Sequence, residues 1–348
     1  MIRSSESLVQ PPKIPTTIPS LNGIRAISIG AVVFGHLVGT QGFPINAGAL
    51  SHVGNLGVRC FFIISGFLIT TLLLREWHAT GRISLSRFYV RRSLRIFPAF
   101  YFFIFVMFWA WHLGWIELKS GDLFHALTFT MNYHHELAWS LNHLWSLSAE
   151  EQFYLLWPGI LAMAGLRRGM LLAIIVVLIA PLIRWWMWSH GVVPSAFTRE
   201  FQAMADSLAV GCLLAANFNA LSANPTYSKL LSSPAFLIIP SVALLLSVVF
   251  GVDAYYIWGQ SVANLGMAIA IHWAIRYPTT FLGEILNSAP FVWLGTISYS
   301  LYLWQEPFLN PTSRAWFTAF PVNIIFTLAA AVFSYWIIEQ QFLRLKPK

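Results

Sequence analysis

The chain has 348 residues, 57% of them hydrophobic and 10% charged, with a formal net charge of +8 and a mean hydropathy of +0.66. Soluble domains carry about 25% charged residues, so this composition excludes a soluble globular protein and points to an integral membrane protein. The basic residues are spread over short segments between apolar runs, which argues against a nucleic-acid partner and for orientation in a lipid bilayer.

The first twenty residues are polar and hold Pro11, Pro12, Pro15 and Pro19. They contain no short apolar core leading to a small-residue cleavage site, so no cleaved signal peptide is expected and the N-terminus is expected in the cytoplasm. After this segment, 1–20, the sequence reads as one transmembrane domain over 21–345. Stretches of about twenty apolar residues predict an all-α polytopic bundle of about ten spans. They lie near 21–41, 55–75, 95–115, 143–165, 170–189, 203–219, 233–251, 255–276, 289–309 and 318–339. Residues 116–142 lack a full-length apolar run and read as an exoplasmic excursion, with Leu123 to Met131 as a partial or re-entrant helix.

With the N-terminus inside, the inner segments hold Arg3, Lys13, Arg75, Arg82, Arg87, Arg91, Arg92, Arg95, Arg167, Arg168, Lys229, Arg276, Arg344, Lys346 and Lys348, with Arg25 at the inner boundary, whereas the outer ones hold Lys119, Arg199 and Arg314. This bias places both termini in the cytoplasm. Cys60 and Cys212 sit within apolar stretches and form no disulfide framework. No internal repeat is visible.

Chemistry begins in the first span. Arg25 and His36 are eleven positions apart, about three helical turns, so they share a face roughly 16 Å apart along the axis. Ionisable groups at membrane depth are costly and mark a pathway or a site. Anchoring by a snorkelling arginine and interhelical packing by the histidine is the structural alternative. The functional reading makes His36 a neutral imidazole able to take a proton from a hydroxyl, with Arg25 binding an anion from the cytoplasm.

Next comes Arg91-Arg-Ser-Leu-Arg95-Ile-Phe-Pro98. Inside-facing anchoring accounts for its charge. The i, i+4 placement of Arg91 and Arg95 and the fit of guanidinium forks to phosphate point more sharply to a phosphate-bearing donor held with Arg92. In Asn142-His-Leu-Trp145-Ser-Leu-Ser-Ala-Glu150-Glu-Gln-Phe-Tyr154, the acids suit a helix start and Trp145 and Trp157 suit interface anchors. Glu150 and Tyr154 also share a face on which to orient a histidine or a substrate hydroxyl. Ser65-Gly66 in the second span permits close approach of a helix or a ligand. Ile297-Ser-Tyr299-Ser-Leu-Tyr302-Leu-Trp304-Gln305-Glu306-Pro307 combines hydroxyls with a carboxylate.

Taken in order, these segments resemble the acyltransferase 3 family of membrane O-acyltransferases. The carriers are Leu21-Asn-Gly-Ile-Arg25 with His36, Phe61-Phe-Ile-Ile-Ser65-Gly-Phe67, the arginine run 91–98, Trp145 through Tyr154, Asp206-Ser-Leu-Ala-Val-Gly211, Ile297 through Trp304 and Ser334-Tyr-Trp-Ile-Ile-Glu339. The resemblance implies an acyl-CoA donor, most often acetyl-CoA, with no permanently bound cofactor. The acceptor it implies is a sugar hydroxyl of a surface polysaccharide or glycolipid, at the bacterial cytoplasmic membrane. It places catalysis on His36 and Glu150, and acyl-CoA binding on Arg25, Arg91, Arg92, Arg95 and Ser65. Trp145, Tyr154, Asp206, Tyr299 and Glu339 become acceptor-side or supporting residues.

Two departures stand out. Gln305 occupies a position where many relatives have histidine, and no basic-proline pair follows Glu339. Some relatives carry a C-terminal esterase-like domain; this chain ends soon after its last span, so no second transfer step is expected in the same polypeptide. His36 is expected to act either as general base on the acceptor hydroxyl in one ternary complex or as a nucleophile that carries the acyl group. A proton-coupled transporter or flippase of a lipid-linked sugar is the alternative class, without the inverted repeats that such proteins show.

Overall fold

The computed structural model describes residues 9–15, 17–45, 53–233 and 251–347, and among these the regular structure is helical, with no strand. In chain order the principal helices are α1 (Pro19–Leu37), α2 (Val53–Thr80), α3 (Leu85–His112), the short α4 (Asp122–Leu127) and α5 (Trp139–Asn142), α6 (Leu144–Ala164), α7 (Leu166–Ser189), α8 (Phe201–Ala223) and α9 (Pro225–Ser232). A π-helical turn at Tyr255–Gly259 leads into α10 (Gln260–Arg276), followed by α11 (Phe281–Asn287), α12 (Ala289–Thr296) and α13 (Ser298–Phe308). Then come α14 (Val322–Phe333), a π turn at Ser334–Glu339 and α15 (Gln340–Leu343).

Among the described residues, six helical stretches are long and apolar enough to cross a membrane: α1, α2, α3, α7, α8 and the continuous run Val322–Leu343. The protein is thus an all-helical, multi-pass membrane protein. The remaining expected spans differ for local reasons. Residues 143–165 form the 21-residue α6, whose first turns carry Ser146, Ser148, Glu150 and Glu151. The 255–276 segment is a π turn joined to the 17-residue α10. The 289–309 segment breaks at Ile297 into helices of 8 and 11 residues. The span expected at 233–251 falls almost wholly outside the described residues.

Two boundaries shift in ways that matter. The third helix starts at Leu85, ten residues before its expected span, so Arg87, Arg91, Arg92 and Arg95 ride on α3 itself; Pro98 lies inside it. A proline inside a helix costs one ladder bond, which membrane helices accommodate. The short expected span at 203–219 is the full 23-residue α8.

The chain divides into two compact units that interleave in sequence. One holds residues through Leu21, Arg59–Ile83 and Gln152–Asn287. In it α7 packs along α8, and α8 meets α2 at glycines: a Cβ on Gly66 would overlap the Leu208 carbonyl, and one on Gly211 the Ile63 carbonyl. The closeness that Ser65-Gly66 foreshadowed is therefore spent on a helix neighbour. Trp157, expected as an interface anchor, is buried and donates from Nε1 to Thr70 Oγ1 at 2.9 Å.

The other unit holds Asn22–Val58, Ser84–Glu151 and Ser288–Lys348. Here α13 packs on α14, and α3 on the Ser334–Glu339 turn. The excursion 116–142 is a folded loop rather than a free one. Buried Asp122 accepts from the Lys119 and Ala138 amides at 2.7 and 3.3 Å and faces His134 Nε2 at 3.2 Å. Phe129 stacks on Phe100 with ring centroids 4.4 Å apart.

Candidate active site

In the second of these units two polar poles form, and α1 and α13 each contribute to both. On α1 the rise of about 1.5 Å per residue separates partly buried Arg25 from His36, which lies in the last turn. On α13, Ser300 faces one pole and Gln305 and Glu306 face the other.

The histidine pole is built on two adjacent side chains of α13, which a helix fans about 100° apart. Gln305 Oε1 stands 2.5 Å from His36 Nδ1. An amide oxygen only accepts, so Nδ1 carries the hydrogen, and in the neutral imidazole Nε2 keeps the lone pair. Glu306 Oε1 is 3.7 Å from that Nε2, with His36 24% exposed and Glu306 fully buried. The Trp139 ring meets the His36 ring edge-on at 5.6 Å and donates from Nε1 to the Glu306 carbonyl at 3.1 Å.

Burying a carboxylate is expensive unless it is hydrogen-bonded, and here the entry to α6 supplies the donors. Asn142 Nδ2 donates to Oε1 at 3.2 Å, and the His143 amide and Nδ1 donate to Oε2 at 2.8 and 2.9 Å. The His143 amide lies at the start of a helix, where free N–H groups and the dipole favour an anion. Tyr302 Oη holds the same turn through the His143 carbonyl at 3.2 Å and Ser146 Oγ at 2.5 Å.

The arginine pole gathers around buried carboxylates. Arg92 Nη2 is 3.8 Å from Glu150 Oε1. Glu339 accepts from Ser300 Oγ at 3.0 Å and lies within electrostatic reach of Arg95, Arg25 and Lys346. Tyr299 Oη donates to the Ile96 carbonyl at 3.0 Å, pinning α13 to α3 beside Arg95. Arg91 is exposed and donates from Nε to the Pro347 carbonyl at 3.1 Å. Trp145 is buried within this unit and is not an interface ring.

This unit thus contains His36, Arg25, Arg91, Arg92, Arg95, Glu150, Trp145, Tyr299 and Glu339. The carboxylate beside His36 is Glu306; Glu150, expected to orient that histidine, pairs with Arg92. The other three expected residues belong to the first unit. Tyr154 Oη donates to Ser65 Oγ at 2.9 Å. Asp206 lies in a buried cluster, 3.1 Å from Arg184 Nη1 and 3.8 Å from Arg59 Nη1, with Ser261 Oγ donating to it at 2.6 Å. That cluster sets one carboxylate between two guanidiniums and so pairs membrane-embedded charge.

Sequence reading missed His143, Asn142, Trp139 and Lys346, and treated Gln305 only as a departure. Glu306 was legible as an acid inside an apolar run, and Asn142-His143 as polar residues at the mouth of α6. Neither signal names its partner, because the partners lie more than 150 residues apart in sequence.

A family model described as an acyltransferase domain (acyltransferase 3) matches residues 18–339. The peptidoglycan O-acetyltransferase OatA of Listeria monocytogenes is 31% identical over 325 residues, 85% of this chain and 50% of that protein. The putative peptidoglycan O-acetyltransferase YrhL of Bacillus subtilis is 30% identical over 362 residues, 93% of this chain and 54% of that protein. The O-acetyltransferase OatA of Staphylococcus aureus is 30% identical over 325 residues, 85% of this chain and 51% of that protein. The chain therefore spans about half the length of the curated relatives it matches. No solved structure matches. Because the matched stretch runs from before Arg25 through Glu339 and so takes in both poles, the chain belongs to the acyltransferase 3 family.

Proposed function

We propose that this protein is a membrane O-acyltransferase of the bacterial cytoplasmic membrane. It moves an acyl group, most simply acetyl, from cytoplasmic acyl-CoA to a sugar hydroxyl of a surface polysaccharide or glycolipid. Peptidoglycan, named in the titles of the Listeria and Bacillus relatives, is the first acceptor to test. The observation that carries the reading is the His36 site: one ring nitrogen held by Gln305, the other left basic and facing a buried carboxylate.

In this mechanism the phosphates of the donor rest on the arginine pole and the pantetheine arm runs past Arg25 along α1. The roughly 16 Å between Arg25 and His36 is of the order of that arm's length. His36 Nε2 takes the proton of the acceptor hydroxyl while its oxygen bonds to the thioester carbonyl carbon. Collapse breaks the carbon–sulfur bond, and the proton passes from Nε2 to the departing thiolate. Glu306 stabilises the transient imidazolium, and the orienting role expected for Glu150 passes to it. Glu150 instead holds Arg92, while Trp145, Tyr299 and Glu339 fix the helices that carry the two poles.

The test uses membranes containing the full chain, radiolabelled acetyl-CoA and cell-wall glycan, with base-labile acetate counted on the glycan. His36→Ala, inserted at wild-type abundance, is expected to lose about 10²- to 10⁴-fold in transfer, the usual range for a general base. Full retention of transfer would overturn the role of His36. A wild type that transfers nothing from acetyl-CoA would overturn the donor.

A further inference from the structure

The donors that surround Glu306 are divided unevenly between its two oxygens. Oε2 takes two hydrogen bonds, from the His143 amide at 2.8 Å and from His143 Nδ1 at 2.9 Å. Oε1 takes one, from Asn142 Nδ2 at 3.2 Å, and it is the oxygen 3.7 Å from His36 Nε2. A carboxylate oxygen offers about two lone-pair sites. Oε2 is therefore filled, and the open site belongs to the oxygen beside His36.

Both donors to Oε2 come from one residue, and that residue is fixed from several sides. His143 is buried, with its ring edge-on to Phe103 and to Tyr302, the centroids 5.5 Å apart in each pair. Its carbonyl accepts from Ser146 Oγ at 3.1 Å and from Tyr302 Oη at 3.2 Å. Its Nε2 is buried and has no hydrogen-bond partner among the described residues. A hydrogen on that nitrogen would be an unpaired buried donor, which is costly. The ring hydrogen therefore sits on Nδ1, where Glu306 receives it.

We propose that His143 is a positioning residue of the transfer reaction: by filling Oε2 from its amide and its ring, it holds the charge of Glu306 in place and keeps Oε1 turned toward His36. The inference rests on the reading of His36 as the base and Glu306 as the partner of its imidazolium. His143 touches none of the reacting atoms and acts only through Glu306. A buried carboxylate is costly without donors, and one that can swing away leaves the imidazolium of His36 unanswered. The Nδ1–H bond supplies a donor and a direction together.

The experiment measures steady-state acetyl transfer to cell-wall glycan, in membranes containing the full chain, for His143→Asn, His143→Gln and His143→Leu, each also combined with Glu306→Gln. Asparagine hangs its amide nitrogen on the same carbon, Cγ, that carries Nδ1, so it keeps the donor to Oε2. Glutamine carries that nitrogen one atom further out, and leucine has none. His143→Asn should stay within about threefold of the wild-type kcat, whereas His143→Gln and His143→Leu should lose about 10- to 100-fold, the worth of a hydrogen bond to a charged group. The KM for acetyl-CoA should not move. In the Glu306→Gln background His143→Leu should cost about twofold or less, because residues acting through one contact are not additive. An equal loss in both backgrounds, as from damage to the α6 entry alone, overturns the inference. So does a His143→Asn as slow as His143→Gln, a comparison of two polar amides that stands even if the leucine variant fails to insert. If Glu306→Gln alone keeps full kcat, the reading of Glu306 falls first and takes the inference with it.

Discussion

At 2.5 Å from His36 Nδ1, the Gln305 oxygen accepts that nitrogen's hydrogen, and the lone pair is left on Nε2 beside Glu306 at 3.7 Å. An imidazolium next to a carboxylate at such a distance gains about 4 kcal/mol at an effective dielectric of roughly 20. Glu306→Gln removes that term while keeping the size of the side chain, so kcat should fall by about 10²-fold or more with the KM for acetyl-CoA nearly unchanged. Gln305→Leu frees the tautomer and should lower kcat by about tenfold, the worth of one hydrogen bond. Glu150→Gln acts at the other pole: it releases Arg92, so its effect should appear mainly in the KM for acetyl-CoA. Steady-state kinetics on the three variants separates these roles. A loss of kcat confined to Glu150→Gln would return the orienting role to that residue.

Between elements, the contact of α2 with α8 has no room for a side chain at its glycines. A Cβ on Gly211 would overlap the Ile63 carbonyl and crowd the Phe67 amide, whereas one on Gly159 meets only Met163 Cε at 3.9 Å. Gly211→Ala should therefore cost about 1–3 kcal/mol, the usual range for overpacking, and lower the thermal midpoint of the purified protein; Gly159→Ala should leave it in place. Asp206→Ala should cost more, about 3–5 kcal/mol, because it strands Arg184 and Arg59 in the interior. These contacts mark what sequence patterns could and could not carry. Hydrophobic run length alone located α1, α2, α7 and α8, because each has a single apolar stretch of membrane length. It placed the start of α3 ten residues too late because helix continues through charged residues that hydropathy reads as loop. It also missed the break at Ile297, a matter of packing rather than composition. At the candidate site, Arg25 and His36 were legible as costly groups at membrane depth, and the arginine run by the i, i+4 spacing of Arg91 and Arg95. The bridge from Glu306 to His36 and His143 was not, since it joins α1, α13 and the mouth of α6 through contacts that no local spacing encodes.

For the molecule as a whole, the proposed chemistry requires the arginine pole to face the cytoplasm, where acyl-CoA is made. Arg168, Lys229, Lys119 and Arg314 are all exposed; Arg168 sits in the first turn of α7, and the other three lie outside the six long helices. From the bias of basic residues, Arg168 and Lys229 are expected inside and Lys119 and Arg314 outside. Single cysteines at these four positions, in a background with Cys60→Ser and Cys212→Ser, report the side directly. In intact cells a membrane-impermeant maleimide should label positions 119 and 314; positions 168 and 229 should react only after permeabilisation. Helix order carries the result to the site on the expectation that residues 143–165 are also a span: α3 and α7 then run in the same direction, and position 168 inside sets the arginine end of α3 at the cytoplasmic face. Labelling of position 168 in intact cells would invert the bundle and set Arg91 and Lys346 against the exterior. The donor would then have to be something other than cytoplasmic acyl-CoA, even if His36 kept its chemistry.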